Sequence, residues 1–408
     1  MSNNKHLKRY LEKDLRKLLK SGYSGLILGP RQVGKTTLTR HILKDFKNTR
    51  DYLLQNPKTR ADFEKDPARI IREIEAMGKK PLIFIDEAQK VPEIFDAVQY
   101  LIDGKMAQFI LTGSSARKLR RGGANLLPGR IKRYFMDPLL WGELGMIKEN
   151  NVSNIAIKNI KESGKFSLED LLVFGSLPGI ITLPESEREE FLKSYALIYL
   201  DEEIRAESLS RKIGAFSRFL ELVARESGTS PNYTKLSNES GVSIQTIKDY
   251  YQVLSDTLVV EMVEPFLRNS RKRILSSPRY YFFDLGVRNA LARWPLSKDT
   301  ANVQKGTLFE HFVMLEIIRR VRTLNKNYKV YYWRTSGGAE VDCVLDLGDE
   351  IIPIEIKSGA NVGMGELKGL KNFLKEYSKI AKMGYVITAG ERKEKLAENI
   401  IALPWQCL

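Results

Sequence analysis

Apolar and polar positions change rhythm along the chain. Residues 7–20 mix charged and apolar positions at helical spacing, and "YSGLILG" (23–29) is then a short apolar run ending in glycine, which predicts a buried strand. Helical spacing returns in "TTLTRHILKDF" (36–46). "KKPLIFIDEAQK" (79–90) predicts a second buried strand, "IFDAVQYLID" (94–103) a helix, and "AQFILTGSS" (107–115) a third strand. Strands alternating with helices predict a parallel, doubly wound sheet, with helices covering both faces.

From about 165 to 265 the pattern is helical, most clearly in "FSRFLELVARES" (216–227). There follows a short helix over 233–239, a turn at Gly241 and Ser243, a second helix over 243–255 and a strand, "LVVEMV" (258–263), which is the order helix, turn, helix, wing. A loop rich in Arg, Lys and Ser, "RNSRKRILSSPR" (268–279), precedes a region that again mixes strands and helices. In its last part the order is helix (306–321), three strands (328–335, 339–347, 350–358), helix (364–377) and strand (383–389). No internal repeat or low-complexity tract interrupts this order. Three parts are therefore expected: 1–145, 146–275 and 276–408.

Composition agrees with more than one folded core. The 408 residues exceed the usual domain size, and 43% apolar with 28% charged residues are ordinary for globular chains. A formal charge of +16 points to a polyanionic partner, with nucleic acid ahead of a membrane surface or mere solubility. No apolar run approaches the roughly 20 residues of a bilayer span, and the basic, amphipathic "MSNNKHLKRYLEKDLRKLLK" is unlike a signal peptide, so a cytoplasmic protein without membrane attachment is expected. Two cysteines, Cys343 and Cys407, and three scattered histidines, His6, His41 and His311, argue against a disulfide framework, a zinc cluster or a Ser/His/Asp triad. Carboxylates, lysines and a hard metal ion are left to carry any chemistry.

Gly29-Pro30-Arg31-Gln32-Val33-Gly34-Lys35-Thr36, followed by Thr37, satisfies G-x-x-x-x-G-K-[ST] after a strand and at the start of a helix. Glycines let the backbone curl so that its N–H groups surround a β-phosphate at the positive end of the helix. Lys35 then reaches the β- and γ-phosphates and the Thr36 hydroxyl binds Mg²⁺. "LIFIDEAQK" carries Asp86 and Glu87 to the C-terminal end of its strand, where α/β sheets place ligands; Asp86 suits the surroundings of Mg²⁺ and Glu87 suits polarising an attacking water. Thr112 and Ser114, ending the third strand, either hydrogen-bond the γ-phosphate or water or cap a turn.

With "LPGRIKRYFMDPLLWGE" (127–143), "FGSLPGI" (174–180) and "GTLFEHFVMLEI" (306–317), these motifs resemble a group of prokaryotic AAA-type ATPases in which a C-terminal domain of unknown function, often nuclease-like, follows the ATPase. The resemblance runs along nearly the whole chain and implies ATP binding and hydrolysis, with ATP and Mg²⁺ as cofactors. Such ATPases often act as rings in which an arginine of one subunit completes its neighbour's site. A homo-oligomer is thus implied, and Arg130 is the candidate arginine, with Arg117, Arg120, Arg121 and Arg133 equally near.

Two further groups bear on DNA. In the helix-turn-helix, Ser243, Gln245, Thr246 and Lys248 lie on the exposed face of the second helix, suited to phosphates and base edges in a major groove; a structural lid is the alternative. Arg268, Arg271, Lys272 and Arg273 either flank that groove or form a solvated loop. Near the C-terminus, Ile352, Ile354 and Ile356 point one way, which leaves Glu355 and Lys357 on the other face of the strand. Asp342 lies across from them beyond the turn "LGDE", and Glu310 adds a third carboxylate. Carboxylates that hold Mg²⁺ beside an ammonium group suit phosphodiester hydrolysis. The D-x12-E-x-K pattern in its α-β-β-β-α-β setting resembles the PD-(D/E)XK nuclease superfamily. An active nuclease, a nuclease fold used only for binding, and surface charges on an unrelated sheet all remain open. Nearby, Arg334 and Trp333 either touch a nucleic-acid backbone or, for Trp333, fill the core.

The expected fold class is α/β: an AAA+-like P-loop NTPase domain with a parallel sheet, a helical and winged-helix middle, and a restriction-endonuclease-like α/β domain. The expected function is an ATP-driven DNA translocase or remodeller. An ATP-gated, Mg²⁺-dependent nuclease and a slow nucleotide switch that binds DNA or protein are the alternatives.

Overall fold

The computed structural model describes residues 7–78, 80–114, 129–146, 166–206, 213–267, 277–324 and 327–408. The chain forms two compact units, Met1–Pro138 with Leu254–Val259, and Leu139–Val253 with Val260–Leu408.

The first unit runs α1 (Tyr10–Lys20), β1 (Ser24–Leu28), α2 (Lys35–Leu43), β2 (Thr49–Leu53), α3 (Pro57–Lys65), α4 (Arg69–Ala76), β3 (Leu82–Asp86), α5 (Ile94–Asp103), β4 (Gln108–Gly113) and β5 (Ile131–Phe135). All five strands are parallel, in the order β2-β3-β4-β1-β5. Every residue of β1, β3 and β4 is buried, as their unbroken apolar runs require of strands covered on both faces. Leu26, Ile83, Ile85, Phe109 and Leu111 from these strands pack with Val98 and Leu101 of α5 in one core. Because β4 lies between β1 and β3, the glycine-rich loop, Asp86-Glu87 and Thr112-Ser114 all leave the same edge of the sheet side by side.

The second unit contains α6 (Leu168–Phe174), α7 (Pro178–Ile181), α8 (Glu185–Ala206), α9 (Ile213–Arg225), α10 (Tyr233–Ser240) and the greater part of α11 (Ile244–Asp256). It continues with β6 (Val260–Pro265), β7 (Arg279–Phe282), α12 (Leu285–Leu291), α13 (Lys298–Val303), α14 (Lys305–Leu324), β8 (Lys329–Arg334), β9 (Glu340–Asp346), β10 (Ile351–Lys357), α15 (Lys368–Glu376), β11 (Gly384–Thr388), β12 (Glu394–Ala397) and β13 (Ile400–Pro404). Eight strands form one sheet, in the order β12-β13-β11-β10-β9-β8-β6-β7.

The strand expected as a wing has partners on both sides. β6 pairs antiparallel with β7, whose Tyr280 ring lies 4.3 Å from that of Tyr251 on α11, and parallel with β8, so the strand after the helix pair is also part of the large sheet. An isolated two-stranded wing is marginal in water, and pairing with β8 gives β6 a second set of backbone partners. The boundary drawn at 275 falls between β6 and β7, which are hydrogen-bonded to each other.

Candidate functional site

The site begins where β1 turns into α2. A Cβ on Gly29 would overlap the Met136 carbonyl oxygen, so the loop passes close to the chain just after β5 only because this residue has no side chain. Gly34, at φ +95°, takes the left-handed conformation that turns the loop into the helix. Gly29, Pro30 and Val33 are buried, Arg31 and Thr36 half-buried, and Gln32 and Thr37 exposed. Lys35 is buried as the first residue of α2, and its Nζ donates to the carbonyls of Gly29 at 2.8 Å and Pro30 at 2.7 Å. Burial pushes this ammonium down to about 8, against the opposing charges of Glu87 and Asp86.

Three strand ends meet around Asp86. Its Oδ1 accepts from the Thr36 hydroxyl at 2.9 Å and from the Thr112 hydroxyl at 2.6 Å. The Thr112 hydroxyl in turn accepts from the Glu87 amide at 3.0 Å. Glu87 stands in the left-handed region, at φ +57°, and its Oε2 accepts from the Ser114 hydroxyl at 2.9 Å and from Gln89 Nε2. Gln89 Nε2 also donates to Ser114 Oγ at 3.0 Å. A non-glycine residue in that conformation costs about 1 kcal/mol or more and is tolerated where surrounding bonds over-determine it.

Sequence reasoning passed over two residues of this site. Gln89 fixes the Glu87 carboxylate; its place two positions beyond Glu87 was the available signal. Buried Arg9 donates to Val33 O at 2.7 Å and to Asp137 O at 2.5 Å, pinning the glycine-rich loop to the chain beyond β5. Nothing in an arginine before a charged helix marks it for that task. Arg130 immediately precedes β5, half-buried, in an ion pair with Asp103 at 2.5 Å, and Arg133 is exposed on β5. Arg117, Arg120 and Arg121 lie outside the described residues.

The residues present fit a magnesium ion. A Thr hydroxyl and an Asp carboxylate are hard oxygen donors, and they meet here. Among the described residues no group of three or more His, Cys, Asp or Glu is placed to hold a metal by itself.

A second cluster forms in the other unit. β9 and β10 are antiparallel, with Ile354 opposite Cys343, and Asp342 Oδ2 accepts from the Ile356 amide at 2.8 Å. Lys357 Nζ donates to Glu355 Oε1 at 2.8 Å, while Glu355 Oε2 is buried without a hydrogen-bond partner. Glu310, on α14, accepts from the Tyr281 hydroxyl at 3.0 Å and pairs with Arg279 at 3.5 Å. Arg279 also pairs with Glu340 and lies 4.6 Å from the centre of the Tyr332 ring. Burial, and then the charge of Asp342, pushes both Glu310 and Glu355 up to about 7; burial raises Asp342 as well. The structure thus brings Glu310, Asp342, Glu355 and Lys357 together, and adds Arg279 and Tyr281 from β7, which no spacing rule foretold. Trp333 is buried in the core, and Arg334 is exposed, 3.7 Å from Glu340.

On α11, Ser243, Gln245 and Lys248 are exposed and Thr246 half-buried. Their side chains are engaged locally. Ser243 Oγ caps the helix by accepting from the Thr246 amide at 3.1 Å, Gln245 donates to Asp249 at 3.0 Å, and Lys248 lies 5.6 Å from the centre of the Tyr233 ring. Arg271 and Arg273, with Arg268 and Lys272, lie outside the described residues. No helix among the described residues is long and apolar enough to cross a membrane.

A parallel five-stranded sheet with a glycine-rich loop after β1, an acidic pair after β3 and a hydroxyl pair after β4 defines an AAA-type P-loop domain. Residues 23–145 match the family model described as an AAA domain. Residues 165–298 and 305–408 match two families described as domains of unknown function, DUF8612 and DUF4143. The chain is 25% identical over 400 residues to an uncharacterized protein of Mycobacterium tuberculosis, covering 96% of this chain and 82% of that one. An uncharacterized protein of Mycobacterium bovis matches to the same extent. Among solved structures it is similar to the Walker-type ATPase PABY2304 of Pyrococcus abyssi, at 16% identity and a TM-score of 0.46, over 71% of this chain and 97% of that one. AMPPCP-bound DnaA from Aquifex aeolicus is similar at 15% identity and a TM-score of 0.29, over 60% of this chain and 86% of that one.

Proposed function

We propose that the chain is a magnesium-dependent ATPase that engages DNA and uses hydrolysis to translocate along it or remodel it. One observation carries the ATPase reading: Thr36, Asp86, Glu87, Thr112 and Ser114 converge into one hydrogen-bonded group, with the Lys35 ammonium within reach of the charges of Glu87 and Asp86. Gly29 to Thr37 wrap the phosphates of ATP. Lys35 exchanges the carbonyls of its own loop for the β- and γ-phosphates, and Thr36 with Asp86 supports the magnesium ion. Bound there, the ion neutralises charge that develops on the phosphate oxygens. Glu87, fixed by Ser114 and Gln89, orients and polarises the attacking water, and Thr112 couples Asp86 to the Glu87 amide. Assembly into a homo-oligomer would let Arg130 leave Asp103 and reach a neighbour's γ-phosphate.

The formal charge of +16 supports DNA as the partner, with the segments 146–275 and 276–408 as the parts that contact it. The exposed face of α11 and the segment with Arg271 and Arg273 are the proposed contacts. ATP turnover measured with single-stranded, duplex and branched DNA tests this reading. Stimulation by at least one form, lost in Glu87→Gln, is expected. Turnover indifferent to all three would favour the nucleotide switch.

A second reading, an ATP-gated nuclease, is favoured by the buried, unpartnered Glu355 Oε2 beside Asp342 and Lys357. These oxygens fit a hard divalent cation, which would activate water for phosphodiester cleavage. Plasmid cleavage in Mg²⁺ that disappears in Lys357→Ala, with DNA-stimulated ATP turnover retained, would establish it; an uncut plasmid would leave the cluster a binding element.

A further inference from the structure

Helix α15 has two unlike faces. Leu370, Phe373 and Leu374 are buried against Val341, Val344 and Val386 in the core of the second unit. Lys368, Lys371 and Lys375, at i, i+3 and i+7, share the opposite, exposed face. Among the described residues none of the three has an ion-paired or hydrogen-bonded partner. Elsewhere in this unit several helical cations are matched, Lys193 with Glu189, Arg225 with Glu221 and Lys235 with Glu226, and Lys248 lies over the Tyr233 ring. Lys379 and Lys382, in the turn after the helix, are exposed as well.

The place of this face is as informative as its charge. A Cβ on Gly369 would overlap the Glu340 carbonyl oxygen, so the first turn of α15 is pressed onto the start of β9. Glu340 pairs with Arg279, and Asp342 follows two residues later. Glu366, just before the helix, contributes to holding Lys357 protonated. The unmatched lysines therefore begin beside the carboxylate cluster and lead away from it. From Lys368 to Lys375 the helix advances about 10 Å, close to the rise of three nucleotides along one strand of a duplex.

We infer that the Lys368-Lys371-Lys375 face of α15 is a phosphate track that lays a DNA strand against the Glu310-Asp342-Glu355 cluster. The inference rests on the DNA reading above and assigns it a surface that α11 does not provide. Matched charges elsewhere gain nothing from counterion release, because their partners already neutralise them; three unmatched lysines in register do.

Fluorescence anisotropy with a labelled duplex across a salt series tests it, on the full chain. The account expects Lys368→Ala, Lys371→Ala and Lys375→Ala combined to flatten the slope of log affinity against log salt by about 3. Affinity near physiological salt should fall at least tenfold, with basal ATP turnover unchanged. Arginine at all three positions should restore the slope. Wild-type binding that the alanine variant leaves intact would overturn the track while the DNA reading stands. Wild-type protein that binds no DNA, or binds only anionic lipid vesicles, would overturn both.

Discussion

Replacing Gly29 by alanine places a methyl group where the Met136 carbonyl oxygen already sits. Neither side can yield cheaply. Met136 N donates to Leu28 O at 2.8 Å as a continuation of the β1–β5 ladder, and Arg9 ties Val33 O to Asp137 O just beyond. Overpacking against a backbone costs about 1–3 kcal/mol, so a loss of about 2 kcal/mol is expected, or roughly 8 °C in the melting of a unit this size. Gly25→Ala is the control. Its Cβ would meet Leu18 Cδ2 at 2.9 Å, the movable end of a side chain, and should cost under about 1 kcal/mol. Circular dichroism melts of both variants without nucleotide, following the first transition of the two-unit chain, read the difference. A Mg-ATP titration of each should show affinity lost only in Gly29→Ala, because the displaced loop no longer aims its amides at one point. Gly29→Ala melting with the wild type and binding ATP as tightly would refute the argument that this contact dictates glycine.

Two other outcomes follow from buried and exposed charges. His311 is buried, its Nε2 donating to Phe282 O at 2.7 Å with Nδ1 unpartnered, and burial pushes the ring from 6.5 down to about 3. Its folded value lies below the unfolded one, so its contribution to stability is complete above pH 6.5 and is lost as pH falls toward 3. Urea midpoints at pH 7 and pH 5 should differ by about 2 kcal/mol from this ring alone, and His311→Gln should remove that part; an unchanged difference would mean the ring protonates in place. Arg130→Ala should leave ATP affinity alone, since its guanidinium is bonded to Asp103, yet slow turnover tenfold or more in any oligomer. Equal turnover would exclude it as the trans-acting arginine.

What the sequence made legible follows from burial. β1, β3 and β4 are buried along their whole length, so their apolar runs stand out, whereas β2, with Arg50 and Asp51 exposed, and β5, with Lys132, Arg133 and Phe135 exposed, carry no such run. The glycine-rich loop was visible because its geometry demands particular residues at fixed spacing. The C-terminal carboxylates were visible because strand alternation places Glu355 and Lys357 on one face. Arg9, Arg279 and Tyr281 were not, since each reaches its site across the fold from a segment with another local role. The second partner of β6 was hidden for the same reason: a strand's local pattern shows that it needs partners, and only the tertiary fold decides that β6 finds them in β7 and β8.

Titration calorimetry of ATP into the full chain, with and without Mg²⁺, tests the central claim most directly. One binding event per chain is predicted, strengthened by Mg²⁺ and abolished by Lys35→Ala with the fold intact by circular dichroism. Heat that is absent in folded wild-type protein, or undiminished in Lys35→Ala, would contradict it.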